Sequence, residues 1–276
     1  FLDMTISQAI LWAATNTQPE EKPSEIAACE PYFIGSHSGA SGAWVSGPKD
    51  LAPDEYFWGY ANMCTVKGLF AAGDASGASS HKFSSGSHAE GRIAGKAIVA
   101  FVVDNNSQPK VDMKAVEALK EKTYKPFKLY EDSQDQSTDP TVNPAYIRPR
   151  QFMFRLQKIM DEYAGGVTAQ FSTNKYLLER GMELLTFLKE DSELLAAETG
   201  NHHELMRVWE AVHRMWQAEA HIRTVLFREE TRWPGYYFRS DTPTMNDDWK
   251  CFANCTWNPG TGEWEMKKQP IISLNL

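Results

Sequence analysis

GLFAAGDASGASSHKFSSGSHAEGRIAG, residues 68–95, is the stretch on which the fold turns. Gly68-Leu69-Phe70-Ala71-Ala72 predicts a short apolar strand, closed by Gly73-Asp74. Glycine there lets a ligand approach the backbone, and an acidic side chain at a strand end accepts hydrogen bonds from ribose hydroxyls. A Gly/Ser/His loop follows, and a helix is predicted from Gly86 to Val103. Its first turn offers unpaired N–H groups and a partial positive charge, which suits an anion or an electron-rich ring edge. Gly91 and Gly95 lie one turn apart among Ala89, Ala94, Ala97 and Ala100. So bare a helix is expected to pack closely on a sheet or a cofactor. A Gly-rich strand–loop–helix pattern alone leaves a helix tucked on a sheet without ligand as an equal reading.

Outward from this segment, the polar run Asp104–Lys110 marks a boundary. Beyond it the pattern becomes helical: a moderate helix over 112–122, then apolar positions at Phe152, Leu156, Ile159, Met160 and Tyr163. Leu177, Leu178, Met182, Leu185 and Leu188 repeat the spacing, and Leu205, Val208, Trp209, Val212, Met215, Trp216, Ile222 and Leu226 extend it over the longest helix. Three such helices in sequence predict an antiparallel bundle. Residues 130–144 are expected as a loop. The tail from Arg232 is rich in Trp, Tyr and Pro, and Pro259-Gly260-Thr261-Gly262 reads as a hairpin turn. Toward the N-terminus, 3–15 predicts a short helix and Pro31–Gly47 a strand entering a Gly/Ser turn.

Composition narrows the function. With 42% apolar and 23% charged residues in 276, the chain has the balance of a globular protein with a sizeable core. A net charge of −8 argues against a general nucleic-acid binder. No run of 18 apolar residues predicts a membrane span. Cys29, Cys64, Cys251 and Cys255 match no metal or iron–sulfur spacing and are expected as reduced thiols. The opening Phe1-Leu2-Asp3 has neither an initiator methionine nor a signal-peptide pattern, and reads as the interior of a longer protein.

Segment 68–95 resembles the C-terminal flavin-binding motif of the fumarate reductase/succinate dehydrogenase flavoprotein superfamily. Within it, GDASGASSHKFSSGSHAEGR, EPYFIGSHSGASGAWVSGP (30–48) and TRWPGYYFRSD (231–241) are similar to one branch, the alpha subunits of dissimilatory adenylylsulfate (APS) reductases. The resemblance runs along essentially the whole chain. It implies an α/β (α+β overall) fold: the C-terminal part of a Rossmann-like FAD-binding domain, a helical bundle domain and an irregular aromatic-rich tail. The expected divisions are 1–40 for the end of a capping domain, 41–107 for the FAD-binding part, 108–230 for the helical domain and 231–276 for the extension.

The resemblance also implies roles. Gly73 and Asp74 would meet the FAD ribose, and the backbone around Ser85, Gly86, Ser87 and Ala89 would hold the N1/C2=O edge of the ring. The helix dipole there would stabilise the anionic reduced flavin. His37 would contact the sulfate or phosphate oxygens of the substrate as the catalytic position; no metal ligand is expected. The implied reaction interconverts APS with sulfite and AMP by two-electron chemistry at flavin N5. Electrons would come from an iron–sulfur beta subunit, and the setting would be cytoplasmic. The bundle and the aromatic tail would offer docking surfaces for that subunit.

One departure matters. Succinate and fumarate enzymes carry a loop arginine that clamps a substrate carboxylate, whereas His81-Lys82-Phe83-Ser84-Ser85 places Ser84 or Ser85 there. Loss of that clamp argues against a dicarboxylate substrate. The alternatives are another flavoenzyme of the superfamily, such as a fumarate reductase or aspartate oxidase, or a subunit-interaction module without chemistry. Arg232 and Arg239 either line the site or brace the C-terminal segment; bracing is the expectation. No Gly-x-Gly-x-x-Gly turn for the FAD pyrophosphate occurs in the sequence.

Overall fold

The structure is a computed structural model that describes residues 2–18, 20–21, 41–77, 84–108, 110–136, 143–232 and 237–272. The chain divides into two units, Phe1–Ile34 and Gly35–Leu276. In the first, helix α1 spans Leu2–Thr15. It ends where Asn16 turns left-handed at φ 48° and the Thr17 amide donates to the Trp12 carbonyl at 2.9 Å.

The second unit is mixed, with helices predominating. It holds helices α2 (Ser84–Asp104), α3 (Met113–Asp132), α4 (Pro149–Tyr163), α5 (Lys175–Asp191) and α6 (His202–Phe227). Strands β1 (Ser172–Thr173) and β2 (Phe238–Arg239) pair in parallel, and β3 (Cys251–Asn258) and β4 (Glu263–Pro270) form an antiparallel hairpin. Local chemistry sets the helix starts. Asp112, Asn174 and Asn201 accept from the amides of Lys114, Leu177 and Glu204, satisfying donors that have no partner inside the helix. Pro149 opens α4, where its missing N–H costs nothing.

The core joins α4, α5 and α6. Phe152, Leu178 and Ile222 are fully buried, with Leu156, Leu185, Leu188, Val208, Ala211 and Met215 packed around them. Arg155 in the middle of α4 pairs with Asp191 at the end of α5 at 2.6 Å, while Tyr163 at the end of α4 meets Gly181 in the first half of α5, so these two helices run antiparallel. Gly181 of α5 lies under Ile222 of α6 and Lys189 reaches back to Glu219, which sets the second antiparallel pair. Gly181 has a packing reason: a Cβ there would meet the Cβ of Tyr163 at 3.0 Å. The three-helix reading of the sequence therefore holds. Two boundaries differ from it. Helix α3 continues ten residues past the expected end and absorbs Pro126; of the rest of the expected loop, 134–136 form a 3-10 turn and only 133 and 143–144 are described outside helix. Burial of Pro126 and acceptance of the Ala197 amide by its carbonyl keep the turn folded.

The C-terminal hairpin turns at Pro259–Gly262 as expected. Asn258 Oδ1 accepts from the amides of Gly260 and Thr261, and Gly262 takes φ +71°. Trp257 and Trp264 sit opposite each other in register and both meet Trp216 of α6, while Lys189 lies 4.2 Å above the Trp216 ring. Trp209 donates to the Thr123 carbonyl and fastens α3 to α6. The tryptophans of α6 thus serve packing.

The expected bracing by the two arginines also holds. Arg239 is 3% exposed and donates to the carbonyls of Val225, Leu226 and Arg228, the unsatisfied acceptors at the C-terminal end of α6. Arg232 donates through Nε and Nη2 to the buried carboxylate of Glu230, both at 2.8 Å.

His221 of α6 faces Tyr237 edge-on, ring centroids 6.2 Å apart, and burial holds its imidazole below the ordinary value. The sign follows: below about pH 6.5 the unfolded chain binds a proton that the folded one refuses, so stability falls as pH falls. The urea midpoint is expected to drop between about pH 7.5 and about pH 5.5 by more in the wild type than in His221→Phe. Equal drops in the two proteins would remove His221 from the acid limb.

Candidate functional site: the junction of residues 42–76 with helix α2

The segment 41–77 is built on tight backbone exchanges rather than a ladder. Val45 bridges Cys64, Met63 bridges Phe70 and Ala43 bridges Ser76. The strand expected over 68–72 is reduced to that single Phe70 bridge among the described residues, with the Ala71 amide donating to the Asn62 carbonyl. Asn62 returns the bond through Nδ2 to the Ala71 carbonyl and takes φ 62°. Asn62 and Gly73, left-handed at φ 62° and 63°, end the extended backbone on either side and keep the pairing short.

Past this hairpin the chain makes a helical turn over Gly73–Ala75. Gly73 is buried with φ +63°, in the left-handed region that favours glycine. A Cβ on it would stand 3.2 Å from Ser87 Oγ and 3.3 Å from Ser87 Cβ. The Gly73 amide donates to Glu90 Oε2 at 2.8 Å. Gly42, extended alongside, would press a Cβ to 2.5 Å from the Ser76 carbonyl carbon, so that approach also demands glycine. The turn bearing Asp74 and the first turns of α2 are thereby brought into direct contact. Asp74 itself is exposed, as is Ser85; Gly86 and Ser87 are half-buried and Ala89 is exposed.

Farther along α2, Phe101 stacks edge-on with Tyr60 and Phe70, and Tyr60 donates to Asp104 Oδ2 at 2.9 Å. That bond raises the Tyr60 hydroxyl above its ordinary value. Burial pushes the Cys64 thiol up as well, which keeps it an unreactive thiol. Helix α2 thus lies on residues 60–76 through one stripe, Glu90, Ala94, Ala97 and Phe101. Its other faces are open among the described residues. Cβ atoms on Gly91 and Gly95 would meet nothing within 4 Å, and Val99, Val102 and Val103 are exposed.

Of the residues named from the sequence, Gly73 and Ser87 are in contact; Asp74 follows Gly73 in the same turn, and Ser85, Gly86 and Ala89 lie on the first turns of α2 around Ser87. His37, His81 and Lys82 lie outside the described residues. Sequence reasoning missed Glu90. The sequence alone does not mark it, since an acidic side chain on a helix is ordinarily solvated.

The junction has the chemistry of half a dinucleotide site. An exposed carboxylate stands on a glycine turn, and beside it begins a helix whose amide groups carry the positive end of the dipole. These residues fit the sugar and ring edge of a flavin dinucleotide; nothing among the described residues has the form of a pyrophosphate cradle.

Residues 154–276 match the family described as fumarate reductase flavoprotein C-term. The adenylylsulfate reductase alpha subunit of Megalodesulfovibrio gigas is 47% identical over 99% of this chain and 42% of its own length. The structure of adenylylsulfate reductase from the hyperthermophilic Archaeoglobus fulgidus matches at 55% identity and a TM-score of 0.86, over 99% of this chain and 43% of that one. A structure of adenosine-5-phosphosulfate reductase in complex with sulfite, as a covalent adduct, matches equally. The chain spans about two fifths of the length of these relatives and lines up with them along its whole length.

Proposed function

We propose, from a chain related along its entire length to adenylylsulfate reductase alpha subunits, that it forms part of the FAD-bearing subunit of such an enzyme. The reaction is the two-electron interconversion of APS with sulfite and AMP. The observation that carries this reading is the contact of the Gly73–Ala75 turn with the start of α2, made by a left-handed glycine on Ser87 and a carboxylate on its amide.

In this reading Asp74 receives the ribose hydroxyls. The first-turn amides at Ser85 and Gly86 face the N1/C2=O edge and favour negative charge there, with Ser87 and Ala89 continuing the same helix start. Bound FAD supplies the two-electron chemistry. His37 hydrogen-bonds the sulfate or phosphate oxygens of APS. The open Gly91–Gly95 face of α2 receives the rest of an FAD-binding domain, which also supplies the pyrophosphate cradle. The divisions at 40, 107 and 230 are the domain limits we assign. The partner is an iron–sulfur beta subunit that feeds electrons and carries the clusters, and the enzyme works in the cytoplasm. The Ser84/Ser85 pair in place of a loop arginine supports APS over a dicarboxylate.

Two measurements test this. The full-length subunit, purified with its partner, is expected to couple APS and AMP/sulfite to an electron carrier and to leave fumarate unreduced; fumarate turnover with none on APS would overturn the reading. The 276-residue chain alone, freed of excess flavin, is expected to show no stoichiometric flavin band, because its sequence carries no Gly-x-Gly-x-x-Gly turn for the pyrophosphate.

A further inference from the structure

Glu90 is 7% exposed in a helix stripe otherwise made of Ala94, Ala97 and Phe101. A buried carboxylate is costly unless its oxygens are engaged. One is: Oε2 accepts the Gly73 amide at 2.8 Å. The other, Oε1, is buried without a hydrogen-bond partner among the described residues. The Gly73 amide belongs to a residue in left-handed conformation at the start of a single helical turn, where no backbone carbonyl among the described residues takes it up. The helix therefore reaches back with a side chain and ties down the one residue preceding Asp74.

We infer that Glu90 is the positioning residue of the flavin site: by holding the Gly73 amide it fixes the turn that presents Asp74 to the cofactor ribose. This rests on the reading of Asp74 as the ribose ligand. Glu90 does not touch the reacting atoms. Its effect passes through the backbone of Gly73, and the Ser87 side chain against Gly73 limits the alternatives open to that turn. The buried Oε1 leaves the carboxylate one acceptor for a hydroxyl or ordered water at the same junction.

The test uses the full-length subunit with Glu90→Leu, Glu90→Gln, Asp74→Ala and the Asp74→Ala/Glu90→Leu pair, stripped of flavin and titrated with FAD. Glu90→Leu is expected to weaken FAD binding by about tenfold, the effect of one charge-assisted hydrogen bond lost from a fixed turn. Glu90→Gln keeps an oxygen for the Gly73 amide and is expected within about threefold of wild type. The pair is expected to bind no more than about threefold more weakly than Asp74→Ala alone, because both changes remove the same contact. Melting curves of the apo proteins separate folding from binding. Undiminished affinity in Glu90→Leu, no rescue by glutamine, or additive losses in the pair would each overturn the positioning role. A wild-type subunit that binds no FAD would instead sink the underlying reading.

Discussion

Glu230→Ala is expected to lose about 3–5 kcal/mol of folding stability, the usual penalty for leaving one half of a buried ion pair behind. The Glu230 side chain is fully buried. It accepts from Arg228 Nε at 2.9 Å, from Arg232 through two nitrogens and from the Asn246 amide at 3.1 Å. Arg228 in turn donates to the carbonyls of Trp249 and Cys251. One carboxylate thus joins the end of α6 to the strap beyond it (residues 229–232 and 237–250), and Arg228 carries the tie on to the first residue of β3. Alanine would strand two guanidinium groups that are three-quarters buried. A loss of that size takes up a large share of a typical stability of roughly 5–15 kcal/mol. Burial pushes the Glu230 carboxyl up, but the bonds from Arg232, the Asn246 amide and Arg228 outweigh it and hold the group below its ordinary value. The contribution is therefore present above the unfolded carboxyl pKa and lost as pH falls through the folded one. Urea titration followed by circular dichroism checks both points. Glu230→Gln keeps the acceptor and is expected to lose less than alanine. A Glu230→Ala protein within about 1 kcal/mol of wild type would mean that water serves these arginines instead.

The helical half was legible because its signal is redundant. Phe152, Leu178, Leu185, Val208 and Ile222 each recur at helical spacing, and each lies in the core. Asn174 and Asn201 cap their helices by chemistry that needs no tertiary partner. What the pattern could not show was the length of α3. Pro126 argues locally against helix, and only burial against the segment around Ala197 decides otherwise.

The junction was legible for a different reason. Gly73 and Asp74 announce a backbone approach and an acceptor, and Gly73 occupies a conformation that needs glycine. The strand ahead of it was misjudged in extent, since an apolar run such as 68–72 carries no information on whether a long pairing partner lies in reach. Glu90 escaped notice because a charged side chain on a helix is ordinarily solvated, and only the fold turns its carboxylate inward. Likewise Arg239 carries no local mark of a helix cap; its three carbonyl acceptors come together only when the strap folds over α6.

Asp74→Ala in the full-length subunit is expected to reduce FAD affinity roughly a hundredfold, about 3 kcal/mol, because a carboxylate on a ribose diol makes two charge-assisted hydrogen bonds. The fold is expected to persist: Asp74 is exposed, and the turn is held by the Gly73 amide on Glu90 and by the Ala43 amide on the Ala75 carbonyl, neither of which involves the Asp74 side chain. Loss of flavin without loss of structure is thus the distinguishing outcome. Flavin content after gel filtration, with circular dichroism on the same sample, reads both. Asp74→Asn keeps one acceptor oxygen and is expected to fall between alanine and wild type. Full flavin retention by the alanine protein would place the sugar elsewhere and remove Asp74 from the cofactor contacts, leaving the ring-edge assignment at the first turn of α2 to be tested by itself.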